Sequence, residues 1–205
     1  VSGAASRMFK HLFEFKQTYK RTPEDIEKYK SDQGFNSVYN FFKNIDKFAF
    51  YYQLKKLMSY DGLDLIELIN DYNFIPILDY LITDQGMNYA FLPKGLLLFH
   101  NYSDEPRLSV EEHLVESAHY STNKAGTSRM HLTVSPEHQH KFENAVKAKK
   151  GKFEQKYDVE FDINFSQQKP NTDIIAVTPD NKPARDVEGD LLFRPGGHGA
   201  LIENL

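Results

Sequence analysis

The sequence contains no cysteine and no tryptophan in its 205 residues. Without cysteine there is no disulfide framework, no thiolate metal site and no thiol nucleophile. That absence suits a cytoplasmic protein, where disulfides are rare. No apolar run approaches the roughly 20 residues that a membrane-spanning helix needs. The N-terminus also lacks the charged-then-apolar layout of a signal peptide. A basic excess is missing: Lys+Arg 25 stand against Asp+Glu 29, for a net charge of −4, so nothing points to nucleic acid as a partner. Two enzyme signatures are absent as well, the Gly-x-Ser-x-Gly elbow of α/β-hydrolases and the Walker phosphate loop. The histidines do not fall at zinc-ligand spacings. His138 and His140 lie two apart on an expected helix and point in different directions, and His113 and His119 are six apart, poor for one face.

What is present is aromatic: 16 Phe and 12 Tyr, rings that call for a core. The closing stretch reads as a strand, Leu191 to Phe193, then a glycine-rich turn, Gly196-Gly197-His198-Gly199, then a helix start. Glycines there let backbone N–H groups approach a ligand, and a helix N-terminus favours negative charge. At the other end, Ser2-Gly3-Ala4-Ala5-Ser6-Arg7-Met8 is small and polar. Phe9 onward has helical spacing, and Ser6 stands where an ordinary N-cap would stand.

Between the ends the pattern changes once. Thr22-Pro23-Glu24-Asp25 is a helix start with a capping Thr, a proline at the first position and acids in the first turn. That helix runs toward Gly34. Ser37 opens another, with Val38, Phe41, Phe42, Ile45, Phe48, Tyr52 and Leu57 on one face. Helical pattern continues over 63–69 and 77–82. From about residue 90 strands and helices interleave, which predicts an α/β sheet of mostly parallel strands. Pro93-Lys94-Gly95 is a turn before a short strand, and Ser109 starts a helix. Strands are expected at 130–134, 159–165, 173–178 and 190–193. The helix after Ser135-Pro136-Glu137 is expected to stop at Gly151. The domain reading is an α/β domain over 1–20 and 86–205, with 21–85 as a helical insertion. Val1 directly precedes a glycine turn and Leu205 falls within a helix-like segment, so the chain is expected to be a piece of a longer protein.

Four fragments in order carry a resemblance: Ser2-Gly3-Ala4-Ala5-Ser6-Arg7-Met8, Leu92-Pro93-Lys94-Gly95-Leu96, Gln168-Lys169-Pro170 and Pro195-Gly196-Gly197-His198-Gly199. Together with Glu112-His113-Leu114 they resemble the sugar-nucleotide pyrophosphorylases of the UDP-sugar type, and most closely an uncharacterised domain family related to them. The resemblance implies a Rossmann-like, three-layer nucleotidyltransferase sheet of the glycosyltransferase-A kind, with the helical block inserted. It implies uridylyl transfer from a nucleoside triphosphate to a sugar 1-phosphate, with Mg2+. By resemblance Ser2, Gly3, Ala4, Ala5 and Ser6 cradle the triphosphate, Arg7 grips the leaving pyrophosphate and Lys94 neutralises the α-phosphate. Gln168 would bond the base, and Gly196, Gly197, His198 and Gly199 would lie along the base, ribose or sugar. These loops are expected to line one cleft at the C-terminal ends of strands.

Two departures accompany it. Ala4 and Ala5 stand where those enzymes carry Gly and another small residue, and the metal-binding aspartate of the family has no counterpart here. Residues 1–205 alone are therefore expected to be inactive while still binding a uridine nucleotide weakly. Two other readings keep the same residues: a non-catalytic nucleotide-binding module, and an interaction scaffold with an exposed apolar patch over 36–60.

Overall fold

The helix signals of the N-terminal half are local, and the chain obeys them. In a computed structural model, residues 5–194 are described together with Gly196 and Leu201. The chain divides into two compact units, Gly3–His113 and Leu114–Leu205. The first opens with a 3₁₀ turn, Ser6–Phe9, that passes directly into α1, Lys10–Thr18. Ser6 does not cap it. The chain turns one residue earlier, where the Met8 N–H donates to the Ala5 carbonyl at 2.8 Å.

In α2, Pro23–Ser31, the expected capping Thr is in place and forms a full capping box with Asp25. Thr22 Oγ1 accepts the Asp25 N–H at 3.2 Å, and the Asp25 carboxylate accepts the Thr22 N–H at 3.2 Å. The same carboxylate accepts the Lys20 N–H at 2.7 Å, and that bond does most to hold Asp25 below the usual carboxylate range. Ser37 caps α3, Val38–Lys43, by accepting the Asn40 N–H.

The single apolar face expected from Val38 to Leu57 is not formed. The helix breaks at Asn44, whose amide donates to the Asn40 carbonyl at 2.9 Å while its oxygen accepts Lys47 Nζ at 2.7 Å. Such local side-chain bonds compete with helix continuation. A 3₁₀ turn follows, then α4, Tyr51–Tyr60. The break rotates Phe48 and Tyr52 outward, 39% and 70% exposed. Next come α5, Leu65–Asn70, capped by Asp64, and α6, Ile75–Ile82.

The core of this unit is aromatic. Phe74, fully buried, is ringed by Phe15, Tyr19, Tyr29, Phe42 and Tyr72, with centroids between 4.3 and 6.2 Å away. Phe9, Leu12, Tyr89 and Leu97 join the same cluster, so the helices of 21–85 share one core with segments on both sides of them. After the 3₁₀ turn Lys94–Leu96 come β1, Leu98–His100, and β2, Arg107–Leu108, paired antiparallel. Helix α7, Ser109–Tyr120, follows.

In the second unit β3, Thr127–Val134, α8, Gln139–Tyr157, and β4, Glu160–Gln167, form a strand–helix–strand unit. Its strands pair in parallel from Thr127↔Glu160 to Val134↔Gln167. Helix α8 does not stop at Gly151; it runs on to a left-handed Asp158 at φ 54°. Phe153, 1% exposed, lies beyond the glycine. Burying that ring outweighs the roughly 1 kcal/mol that a mid-helix glycine costs. A Cβ at Gly151 meets nothing within 4 Å. Gly151→Ala is therefore expected to stabilise the chain by about 0.5–1 kcal/mol, read as a higher urea midpoint. A lower midpoint would mean that the helix needs the glycine.

The last two predicted strands shrink and reverse. β5 is Ile174–Ile175 and β6 is Phe193–Arg194, antiparallel to each other. The intervening chain doubles back through a turn in which the Thr178 N–H donates to the Lys182 carbonyl, and through a positive-φ Gly189. Parallel pairing is therefore confined to β3 and β4 among the described residues. The fold is mixed α/β, about 50% helix, with small sheets.

Candidate functional site

The first loop and the Pro-Lys loop are far apart in sequence and adjoin in the structure. The Ala5 N–H donates to the Leu92 carbonyl at 3.1 Å. One turn on, Phe9 packs against Tyr89, ring centroids 6.3 Å apart. Tyr89 is 4% exposed, and burial pushes its hydroxyl pKa up to about 12. That hydroxyl accepts the Leu98 N–H at 3.2 Å. The segment from Tyr89 to Leu98 is thus held by the first loop on one side and by its own tyrosine on the other. The turn into Tyr89 admits only glycine at 86, because a Cβ there would collide with the backbone of Tyr80.

On this base the charged side chains point outward. Pro93 and Gly95 are buried while Lys94 is exposed, and Ser6 and Arg7 are exposed beside a buried Ala5. Ser6 and Arg7 line a shallow pocket of about 250 Å³ together with Lys10, Phe13, Glu14 and Gln17. Neither Arg7 nor Lys94 has an ion-pair partner among the described residues. Both are therefore available to an anion. Lys10 faces Glu14 at 3.6 Å, but that pair is well exposed and weakly held. Lys10 escaped the sequence reading although its i,i+3 spacing from Arg7 at a helix start was a signal that could have found it.

Gln168 lies in the other unit, just past the end of β4. Its Nε2 is buried and has no hydrogen-bond partner among the described residues, although neighbouring Gln167 donates to Gln139 Oε1 at 2.7 Å. A buried donor left without an acceptor is uncommon and asks for a reason. Gly196 is half-buried in the same unit. Ser2, Gly3, Ala4, Gly197, His198 and Gly199 lie outside the described residues.

A buried ionic cluster beside the Pro-Lys loop was not anticipated. Arg107, 5% exposed, and Glu111, 4% exposed, sit at the junction of β2 and α7. Arg107 Nη1 lies 3.5 Å from Glu112 Oε2, and its guanidinium covers the Tyr102 ring at 4.0 Å. The other Glu112 oxygen meets His100 Nδ1 at 3.1 Å. Glu111 accepts the Leu108 N–H at 3.3 Å. Since His100 and Arg107 are partners across β1 and β2, Glu112 ties both strands to the helix that follows. The Ser109 N–H adds a bond to the Leu97 carbonyl at 2.9 Å. The only sequence signal was the run of charges closing on the start of α7. A second unforeseen group is His131, whose Nε2 lies 2.7 Å from Ser166 Oγ on the facing strand.

With this geometry in view, family membership follows from the full length of the chain, which matches the family described as domain of unknown function (DUF4301) over residues 1–205. The chain belongs to that family. No curated protein matches it, and no solved structure does. In this DUF4301 chain the described residues hold no group of three or more His, Asp or Glu that could bind a metal ion. None of its described helices is long and apolar enough to cross a membrane.

Proposed function

We propose that this DUF4301 chain serves a nucleotidyltransferase reaction. A sugar 1-phosphate oxygen attacks the α-phosphorus of a nucleoside triphosphate, by preference uridine triphosphate. A new P–O bond forms, the α–β bond breaks, and pyrophosphate leaves. The observation that carries this reading is the Ala5-to-Leu92 hydrogen bond. It joins the loop bearing Arg7 to the loop bearing Lys94, two exposed cations without partners among the described residues. Phosphoryl transfer leaves a protein mainly the work of positioning the substrates and neutralising charge. Arg7, with a planar fork suited to phosphate oxygens, holds the leaving pyrophosphate. Lys94, a compact point charge, faces the α-phosphate.

On this reading the parallel β3–α8–β4 unit belongs to a Rossmann-like, three-layer sheet with the helical block inserted between the two loops. Mg2+ would accompany the triphosphate. The residues described here do not form its site, so the roles given are those of the protein's own cations. For the scaffold reading the stretch 36–60 is divided: Phe42, Ile45, Phe50, Leu54 and Met58 turn inward, while Phe48, Tyr52 and Tyr60 are exposed.

The orphaned Gln168 Nε2 gives the base preference. The amide N–H donors suit the uracil 4-carbonyl, in whose place adenine carries an amino group. Calorimetry with the two triphosphates tests this. Uridine triphosphate is expected to bind about tenfold more tightly than adenosine triphosphate, near the worth of one hydrogen bond made or lost. Gln168→Ala should erase the difference. Equal affinities in the parent chain would remove the base-reading role, and no heat with either triphosphate would remove the proposal.

A further inference from the structure

The helical block contains a second pocket, which shares no lining residue with the one beside Arg7. It has a volume of about 500 Å³, inside the roughly 300–1,000 Å³ usual for small-molecule sites. Its walls are aromatic: Tyr29 from α2, Tyr39 and Phe42 from α3, and Tyr72 from the turn after α5. Tyr29 and Tyr39 stand 5.5 Å apart between centroids. Lys30 Nζ sits 4.4 Å above the Tyr72 ring and Lys43 Nζ 5.7 Å above the Tyr39 ring.

Two features set this pocket apart from an ordinary surface hollow. No carboxylate lines it, and neither lysine has an ion-pair partner among the described residues. In a chain of net charge −4, one pocket is thus lined by two lysines and by no acid. The ring faces hold them in place through cation–π attraction while leaving their charge uncancelled. The Tyr29 hydroxyl likewise has no hydrogen-bond partner among the described residues, and burial pushes its pKa well above the usual range. It is therefore a neutral donor on a residue that lines the same pocket as the two lysines.

We propose that this pocket binds a small aromatic anion. The planar ring lies against the tyrosine and phenylalanine walls, and the carboxylate or phosphate group is held between Lys30 and Lys43 with the Tyr29 hydroxyl donating to it. A neutral ring would leave the cations unanswered. A bare inorganic anion would leave the apolar walls wet.

Saturation-transfer NMR on the chain tests this with four probes: phenyl phosphate, benzoate, benzyl alcohol and inorganic phosphate. Saturation transfer to the rings of phenyl phosphate and benzoate is expected, and the stronger of the two identifies the anionic group. Benzyl alcohol should give none, and inorganic phosphate should displace phenyl phosphate only at large excess. The double variant Lys30→Gln, Lys43→Gln should weaken phenyl phosphate by about tenfold or more, the scale of losing two charge-assisted contacts. Asn70→Trp, which fills the mouth and leaves both lysines in place, should abolish binding. Lys30, Lys43 and Asn70 are exposed, so both variants should keep the parental unfolding midpoint. Equal binding by either variant, or no transfer to either anionic ring, would overturn the assignment, as would benzyl alcohol matching benzoate.

Discussion

Arg107→Met is expected to destabilise the Gly3–His113 unit by about 3–5 kcal/mol, the cost of stranding a buried charge. The guanidinium stands between Glu112 and the Tyr102 ring, and Glu111, one residue before Glu112, is buried as well. Removing it leaves carboxylates in a poorly solvated site with one fewer cation. Met keeps much of the stem's packing, so the loss reports the charge and not the volume. Adding Glu112→Gln should restore part of the loss, because the two effects share one interaction and are not additive. Arg107→Lys should recover only part, lacking the plane that stacks on Tyr102. Urea unfolding followed on this unit provides the measurement. A single variant with the parental midpoint would show that the cluster is solvated in solution.

The cluster also shows where reading the sequence stops. The caps at Thr22 and Ser37 were legible because their signals are local, a side-chain oxygen within three residues of the N–H it accepts, and the helix start at Ser109 was legible from the residues that follow it. The stop expected at Gly151 failed because a tertiary contact, the burial of Phe153, outweighed a local preference. The broken stripe from Val38 to Leu57 failed for the opposite reason, a local bond from Asn44 that periodicity does not register. Phe74 is the centre of five rings that arrive from α1 and the residue after it, α2, α3 and the turn after α5, and no spacing along the chain announces such a convergence.

The candidate site divides along the same line. Arg7 and Lys94 were picked out by motif, and the Ala5-to-Leu92 bond then joined their loops. The roles of His100 and Arg107, and the Gln168 amide left without an acceptor among the described residues, depend on what surrounds them in space. A glutamine in a sequence gives no sign that its Nε2 will be buried without an acceptor.

On the nucleotidyltransferase reading, Lys94→Ala and Arg7→Ala in the native-length protein should each lower turnover by about a hundredfold or more, the scale for losing a partner to developing charge. The two differ in how the loss divides. Lys94 faces the phosphorus at which bonds are made and broken, so its charge counts most in the transition state. Its removal should lower kcat and leave nucleotide affinity nearly unchanged. Arg7 holds phosphates that are already charged in the bound substrate. Arg7→Ala should therefore also weaken uridine triphosphate binding, and Arg7→Lys should restore only part, because a point charge cannot make the paired bonds of the guanidinium fork. Both side chains are exposed, so stability should not change and a loss of rate cannot be put down to unfolding. Pyrophosphate release from uridine triphosphate and a panel of sugar 1-phosphates gives the rates, and calorimetry gives the affinities. Parental turnover in both alanine variants would remove the two cations from the mechanism. A loss of affinity without a loss of kcat in either would instead assign that residue to binding, since an interaction equally strong in ground and transition states cannot accelerate the chemical step.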